Sequence, residues 1–283
     1  MLKQITFLFC TLVIFQAPVQ LPDWSNNVSS ASAIQTSGSD KPWHGKKAVV
    51  VLTYDDALEV QLDNVVPALD SLGFKGSFYL TADFAGSKNR IQDWRKVATN
   101  GHELGNHTLF HPCDASKPGR SWVTPSNDLS KYSTDQIVKE IEMTNVFLES
   151  LDGKKERTFA YTCGDTQTKE GSFIDKIKSQ FISMRGVRGQ INKLETLDLN
   201  NIDCFVIDNN NANQLVSWAE KAKEENGLMV VLFHGVGGGH SINIDRKKHN
   251  DFLKYLKNHP DDFWVTTMLE ASKYSIQELK NKK

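Results

Sequence analysis

Eight apolar, strand-like runs alternate with helical patterns along this chain of 283 residues, and this alternation restricts the folds that it can adopt. The predicted strands are Lys47–Tyr54, Gly76–Leu80, Glu103–Asn106, Thr158–Tyr161, Phe181–Met184, Cys204–Ile207, Leu228–Phe233 and Phe263–Thr267. Helical patterns lie between most of them, over Gln61–Leu72, Ile91–Thr99, Thr134–Leu151, Phe173–Lys178, Ala212–Glu225 and Arg246–Lys257. Strands that alternate with helices pair in parallel. The pattern therefore predicts an α/β fold with a closed or nearly closed parallel barrel, and an open doubly wound sheet is the alternative.

The N-terminal segment is typical of a secretory signal. Lys3 precedes a short apolar stretch, residues 5–15, which is too short to span a bilayer. We predict a signal peptide over residues 1–20, a flexible leader rich in Ser, Asn and Gly over residues 21–45, and one domain over residues 46–283. This organisation implies a secreted or periplasmic protein without a transmembrane segment.

Charge and glycosylation signals narrow the partners and the source. The formal net charge is −1, which gives no general attraction to nucleic acids or anionic membranes. No sequence feature indicates a protein partner. Asn106-His107-Thr108 is a glycosylation sequon that overlaps the polar cluster described below, where a glycan would block access. The overlap favours a prokaryotic source.

Three cysteines follow the predicted signal peptide, namely Cys113, Cys163 and Cys204. An odd number cannot pair completely within one chain, so at least one of these thiols is expected to stay free. The count therefore indicates no disulfide framework.

Polar residues follow six of the predicted strands at the point where each strand ends. They are Asp55, Asp56, His107, Cys163, Arg185, Asp208 and His234. In a parallel barrel the carboxyl ends of the strands meet on one face, and catalytic groups gather there. The sequence thus predicts that these side chains line one rim.

His107 and His111, together with one carboxylate of the Asp55-Asp56 pair, form a ligand set that zinc accepts, with a position left for water or substrate. Taken singly, an Asp pair is more often a turn or a helix cap, and most His-x-x-x-His pairs lie on surfaces. A Gly-Asn dipeptide before the histidines and a proline after them favour a shaped loop. We predict a bound divalent metal, with Zn²⁺ first and Co²⁺, Ni²⁺ or Mn²⁺ as alternatives. The other carboxylate is then available as a base.

His234 ends the run Leu228–Phe233 and precedes a glycine-rich loop. Alone it would be a core histidine, but on the same rim as the metal candidates it is better interpreted as a general acid. The glycines would let substrate approach closely. They are not a phosphate-binding loop, because Gly-Lys-Ser/Thr is missing. His240, which follows them, could reach substrate, although an exposed loop histidine is the simpler interpretation.

Three segments resemble motifs of the polysaccharide deacetylases, the metal-dependent carbohydrate esterases (family 4) with a NodB homology domain. They read Thr-Tyr-Asp-Asp-Ala at residues 53–57, His-Thr-Leu-Phe-His-Pro at residues 107–112 and Val-Leu-Phe-His at residues 231–234. The resemblance extends from about Lys46 to Tyr274. It implies a distorted (β/α) barrel of seven or eight parallel strands. The implied activity is hydrolysis of N- or O-linked acetyl groups on a carbohydrate.

The resemblance also implies a role for each matching residue. Asp56, His107 and His111 would bind the metal. Asp55 would be the base that activates the hydrolytic water, and His234 would protonate the leaving amine or alcohol.

The third family motif, often Arg-Pro-Pro-Tyr-Gly, is altered in this chain. Ala160 stands where the family has the Arg that orients the base, and Cys163 stands where a Tyr N–H helps to hold the oxyanion. Arg185 is the expected substitute for the missing Arg, or else it forms a structural ion pair. The family's acidic partner of His234 is expected at Asp208, which could equally belong to an Asn-rich turn.

Loss of catalysis is the main alternative. Ala160 favours a catalytically impaired, metal-containing carbohydrate-binding protein. Asp55 opposes that hypothesis, because a protein that only binds glycan does not need a base. A metal-dependent phosphoesterase is disfavoured, since the carboxylates of a second metal site are missing.

Overall fold

A computed structural model of the chain describes residues 43–281. The predicted signal peptide and nearly all of the predicted leader lie outside these residues, so their boundaries stay predictions. No helix of the described part is both long and apolar enough to cross a lipid bilayer.

The strands of the described part alternate with helices, as the sequence predicts. The strands are β1 (Ala48–Asp55), β2 (Ser77–Leu80), β3 (Glu103–Asn106), β4 (Thr158–Ala160), β5 (Gln167–Thr168), β6 (Gly171–Ser172), β7 (Ser183–Arg185), β8 (Phe205–Val206), β9 (Leu228–Phe233), β10 (Gly235–Val236), β11 (Asn243–Ile244) and β12 (Phe263–Thr266). The helices are α1 (Val66–Leu72), α2 (Ala85–Asn89), α3 (Ile91–Thr99), α4 (Thr134–Asp152), α5 (Ile174–Ile177), α6 (Ala212–Glu224), α7 (Arg246–Asn258) and α8 (Met268–Asn281), and a π-helix over Gln61–Val65 leads into α1.

The main sheet is entirely parallel, with the strand order β7-β4-β3-β2-β1-β9-β8. Strand β1 is central and has neighbours on both sides along its whole length. On one side it pairs with β9 from Val49 to Tyr54. On the other side β12 pairs with its first half and β2 with its last three residues. Neighbours on both sides explain why all eight residues of β1 are buried.

The two outer strands of this order approach each other through the segment that leads into β8. Ile202 bridges Arg185 of β7, and its N–H donates to the carbonyl of Met184 at 2.8 Å. Gly186 N–H donates in return to the carbonyl of Ile202 at 2.8 Å. The chain then enters β8 at Phe205, which pairs with β9. The sheet is therefore a distorted, nearly closed (β/α) barrel, which confirms the predicted fold class and excludes the open doubly wound sheet.

Side-chain alternation in the strands separates two cores. Val50 and Tyr54 of β1 belong to the cluster that packs against the helices, with Leu69 and Trp94 among its members. Val49, the residue directly before Val50, belongs to a second cluster that includes Val230, Ala160 and Met268. Successive side chains of a strand point to opposite faces.

The same alternation determines where the polar residues at the strand ends point. Asp55 shares the parity of Val49 and Val51, so its side chain is on the face of the second cluster. Ala160, also in that cluster, pairs in register with Arg185 on β7. Registered neighbours on parallel strands share a face, so Arg185 and Asp55 point to the same interior.

The cysteines differ from the sequence-based expectation. Cys113 and Cys163 form a disulfide with a Cα–Cα distance of 5.9 Å, and Cys204 is free and buried. The expectation that no disulfide framework exists is wrong, because the loop after β3 folds against the turn after β4. The expectation of at least one free thiol is confirmed by Cys204.

Candidate active site

A sharp turn at the end of β1 places the two adjacent carboxylates. Asp55 is the last strand residue, and Asp56 and Ala57 have positive φ angles of 78° and 51°. Such angles are uncommon outside glycine, and the surrounding structure must hold them. Asp56 N–H donates to the carbonyl of Tyr79 at 3.0 Å. A Cβ on Gly86 would lie 1.8 Å from the Ala57 carbonyl oxygen, so only glycine allows this close approach.

The two histidines after β3 face these carboxylates. His107 Nδ1 lies 2.8 Å from the Ala160 carbonyl oxygen and donates to it, because a carbonyl can only accept. This bond directs His107 Nε2 to the carboxylates, 3.6 Å from both Asp55 Oδ2 and Asp56 Oδ1. His111 Nε2 lies 3.4 Å from Asp56 Oδ1. A backbone contact that orients one ring nitrogen while the other faces a site is the usual support of a metal-binding histidine.

The residues present fit a divalent metal. Ligand atoms of Asp56, His107 and His111 all lie within 4.8 Å of one another. Asp56 Oδ1 is buried and has no hydrogen-bond partner, which is costly unless something arrives to occupy it. Burial raises the pKa of Asp56, but the surrounding imidazoles outweigh it and lower the pKa. Burial lowers the pKa of His107 to about 4, so its imidazole is neutral near pH 7 and can bind a cation.

Asp55 is held by a buried arginine from another strand. Arg185 Nη2 donates to Asp55 Oδ2 at 2.5 Å. The guanidinium is fully buried, with Cys204 Sγ 3.2 Å from Nη1 and the Tyr79 ring centroid 5.2 Å from Cζ. Burial alone would lower the pKa of Arg185, but the Asp55 carboxylate raises it, so the side chain stays charged. Asp55 Oδ1 is buried without a hydrogen-bond partner and faces the cleft residues.

Two imidazoles lie on the opposite side of Asp56. His234 follows β9, and its Nε2 is 3.9 Å from Asp56 Oδ2. His240 Nε2 is 4.0 Å from the same oxygen, and the two rings stack with a centroid distance of 4.9 Å. The structure does not bring Asp208 to His234. Asp208 is exposed in a turn closed by Asn210, and His234 Nδ1 is buried with no hydrogen-bond partner in the described chain.

Of the two interpretations of His240, the exposed loop histidine is wrong, because the ring is partly buried and lines the cleft. The glycine-rich loop turns back at β10 and β11 and returns the ring to the cleft. A histidine that follows such a loop by one residue was the available signal, but the direction of the loop could not be derived from the sequence.

These groups line a cleft of about 200 Å³ at the carboxyl ends of the strands. Its apolar wall consists of Tyr161, Val187, Val206, Leu232 and Ile242, with Trp122 at the mouth. Trp122 is 59% exposed and lies 6.5 Å from the His111 ring, measured between centroids. Cys163 also lines the cleft, in a turn where its φ is 53°. The cleft is thus lined by both charged and apolar groups.

Comparison with known proteins gives consistent matches. The family model of the polysaccharide deacetylases matches residues 44–177. The uncharacterized protein YlxY of Bacillus subtilis (strain 168) is 30% identical over 103 residues, covering 36% of this chain and 27% of YlxY. The peptidoglycan-N-acetylmuramic acid deacetylase PdaA of the same organism is 25% identical over 115 residues, covering 40% of this chain and 37% of PdaA. A Mycobacterium smegmatis structure, provisionally assigned as a polysaccharide deacetylase, superposes with a TM-score of 0.57 at 13% identity, covering 83% of this chain and 92% of that chain.

Residues 44–177 of this chain are thus similar to the polysaccharide deacetylase family. The match to the family model includes the Asp55-Asp56 pair and both histidines of the loop after β3. The structural likeness, at 13% identity, shows the fold alone. The chain spans less than two fifths of the length of each of the two curated relatives, 27% of YlxY and 37% of PdaA.

Proposed function

We propose that this protein is a metal-dependent hydrolase that removes N- or O-linked acetyl groups from a carbohydrate polymer or oligosaccharide. One observation carries the proposal. Asp55 and Asp56 are adjacent and buried, and each keeps one carboxylate oxygen without a partner at the floor of an open cleft. The free oxygen of Asp56 is available to a metal, and the free oxygen of Asp55 is available to a water molecule. Similarity to the polysaccharide deacetylase family supports an acetylated carbohydrate as the substrate class.

The bound metal would be held by Asp56, His107 and His111, and it would supply Lewis-acid polarisation of the acetyl carbonyl. Zn²⁺ suits this nitrogen and oxygen donor set, and Co²⁺, Ni²⁺ or Mn²⁺ are alternatives.

Side chains and one backbone N–H of this protein would carry out the remaining steps. Asp55 Oδ1 accepts a proton from the attacking water while Arg185 holds Oδ2 and fixes the rotamer of the carboxylate. The backbone N–H of Cys163 contributes to binding the oxyanion of the tetrahedral intermediate. His234 then donates a proton to the leaving amine or alcohol as its bond to the acyl carbon breaks. The products are acetate and the free amine or hydroxyl.

Acetate release tests the proposal directly. Purified protein is incubated with chito-oligosaccharide, peptidoglycan and acetylated xylan, with and without chelator, and metal content is measured in parallel. We expect release from at least one substrate and its loss on chelation. His107→Ala and His111→Ala should each lower metal content and release.

A matched control is His259→Ala, because His259 sits beyond α7 near the amino end of β1 and outside the cleft. Equal metal content in all three variants and the wild type would reject the metal assignment. Metal binding without acetate release from any substrate would instead support the alternative, a catalytically impaired glycan-binding protein. That alternative rests on Ala160, which replaces the orienting Arg of the family motif.

We also propose that the protein acts outside the cytoplasm of a prokaryote, secreted or periplasmic. The predicted signal peptide, residues 1–20, supports this location, as does the similarity to PdaA. N-terminal sequencing of the protein recovered from the medium or the periplasm would test the cleavage site.

A further inference from the structure

The glycine-rich loop after β9 holds His240 in one place. Strands β10 and β11 pair in parallel, and Gly235 N–H donates to the Ile242 carbonyl at 3.1 Å. Gly238 N–H donates to Asn243 Oδ1 at 2.9 Å. A Cβ on Gly235 would lie 2.3 Å from the Gly238 carbonyl oxygen, and one on Gly239 would lie 2.6 Å from a Val60 methyl carbon. The loop is therefore tightly packed, and the position of His240 follows from its backbone.

The hydrogen bonds of this loop also determine the tautomer of His240. Ile242 N–H donates to His240 Nδ1 at 3.0 Å, and a backbone N–H can only donate. Nδ1 is therefore the acceptor, and the neutral ring carries its proton on Nε2. The Ile242 carbonyl, 3.3 Å from Nδ1, already accepts from Gly235 N–H and needs no second donor.

The Nε2–H group of His240 faces the cleft. Its nearest carboxylate oxygen, Asp56 Oδ2, is 4.0 Å away, which is too far for a hydrogen bond. The side chain is 31% exposed, whereas that of His234, stacked against it, is 12% exposed. His240 is therefore the outer of the two imidazoles, on the side from which a substrate enters.

We infer that His240 donates a hydrogen bond from Nε2 to a hydroxyl or ring oxygen of the sugar that carries the acetyl group. This inference rests on the proposed function. The inner imidazole, His234, is the proposed acid at the scissile bond. His240, the outer imidazole, would therefore contact the part of the substrate that extends from the scissile bond towards the solvent. Sugar oxygens accept hydrogen bonds, and a fixed neutral donor can bind them without a charge. His240 is thus a substrate-binding group that distinguishes a glycan from a simple acetyl ester.

Two substrates separate this role from a role in the chemical step. Penta-N-acetylchitopentaose and acetylated xylo-oligosaccharide carry sugars, and 4-nitrophenyl acetate carries none. His240→Phe keeps a ring that can stack on His234 but removes the donor. We expect kcat/KM to fall about tenfold on the glycan that the wild type hydrolyses, mainly through KM, which is the magnitude of one lost hydrogen bond. Hydrolysis of 4-nitrophenyl acetate should fall by less than about twofold, and metal content should match that of the wild type. The melting temperature should fall slightly, because Ile242 N–H loses its acceptor.

His240→Gln restores an N–H donor at a similar distance from the backbone and should recover most of the glycan kcat/KM. Unchanged glycan kinetics in His240→Phe would overturn the inference. So would an equal loss on 4-nitrophenyl acetate, because the residue would then act on the chemistry or on the fold. If the wild type hydrolyses 4-nitrophenyl acetate but releases acetate from no glycan, the proposed function fails, and the inference fails with it. The wild-type measurement thus separates the two failures before any variant is made.

Discussion

Buried carboxylates at the two ends of the barrel strands differ in how completely their oxygens are hydrogen-bonded. Glu103 begins β3, near the first residues of β2 and β4. Its Oε2 accepts from Ser77 Oγ at 2.6 Å and from Leu269 N–H at 2.9 Å, and its Oε1 accepts from Thr158 Oγ1 at 2.5 Å. At the other end, Asp55 and Asp56 each leave one buried oxygen without a partner.

This difference distinguishes a structural carboxylate from one that is available for function. Glu103 links the starts of three strands to the first turn of α8, and each of its two oxygens already has a donor. Burying an unpaired polar atom costs about 1–3 kcal/mol, so a fold that tolerates two of them in one cleft has a use for them. In parallel barrels, the carboxyl-end face carries chemistry and the amino-end face carries stability.

The largest effect is expected from removing the free oxygen of the base. Asp55→Asn keeps the size of the side chain but cannot accept a proton from water. We expect kcat to fall by about 10²–10⁴, while metal content stays near that of the wild type. Steady-state kinetics and metal analysis on the same preparation measure both. Normal turnover in this variant would show that Asp55 is not the base. Asp55 would then no longer differ from Glu103 in function.

A smaller loss of activity is expected from the arginine that holds this base. Arg185→Lys keeps the charge but not the planar donor geometry, and it should lower kcat about 10²-fold without emptying the metal site. Ala160 is the registered neighbour of Arg185, so the double variant Ala160→Arg/Arg185→Ala moves the guanidinium to the position used in the family motif. We expect this double variant to have a higher kcat than the single variant Arg185→Ala.

Arg188→Ala is a control for this pair. Arg188 lies three residues later, pairs with Asp203 and is largely exposed. Its loss should leave kcat within about twofold, since exposed ion pairs contribute little. A loss in Arg188→Ala equal to that in Arg185→Lys would mean that the segment, and not the contact with Asp55, matters.

The fold was largely predictable because its two central strands, β1 and β9, are long apolar runs buried on both faces. The eight predicted strands agree with the observed β1, β2, β3, β4, β7, β8, β9 and β12 to within two residues at each end. Helix α8 was missed, because its buried residues include Ala271, Ser272 and Ser275, which give no hydrophobic periodicity. Helix α2 was missed for the same reason, since its buried residues are Gly86 and Ser87.

The site was predictable only where it coincides with strand ends. Parallel strands bring Asp55 and His107 to one rim, and this follows from the pattern alone. Spacing cannot show which cysteines pair across 50 residues, or that His240 is returned to the cleft by its loop. The contact of Arg185 with Asp55 depends on strand order, because β7 and β1 are far apart in the sheet and meet only through the barrel interior.

The structural carboxylate should show the opposite behaviour to Asp55. Glu103→Gln replaces one acceptor oxygen by an NH₂ group, so one of its three donors loses its partner. We expect unfolding to require about 2–3 kcal/mol less free energy, with kcat and metal content unchanged. Urea unfolding beside steady-state kinetics measures this. A fall in kcat at full metal content would show that the two ends of the barrel are coupled, which contradicts the division proposed above.

The smallest effect concerns a histidine buried away from the cleft. His249 is fully buried, and its Nε2 lies 2.9 Å from Tyr54 Oη. Burial lowers the pKa of His249 from the usual 6.5 to about 4. Between these values the unfolded chain binds a proton that the folded protein does not, so the free energy of unfolding falls as pH falls. From pH 7 to pH 5, His249 should account for a loss of about 1–2 kcal/mol.

His249→Gln isolates this contribution, because Gln keeps a polar partner for Tyr54 but does not titrate. Urea unfolding of chelator-treated protein at pH 7 and pH 5 gives the free energy of unfolding for both proteins. His107, whose pKa is also lowered by burial, titrates in both and cancels in the difference. The gap between wild type and variant should therefore narrow by about 1–2 kcal/mol as the pH falls to 5. A gap that stays constant would show that His249 does not contribute to the acid sensitivity of the fold.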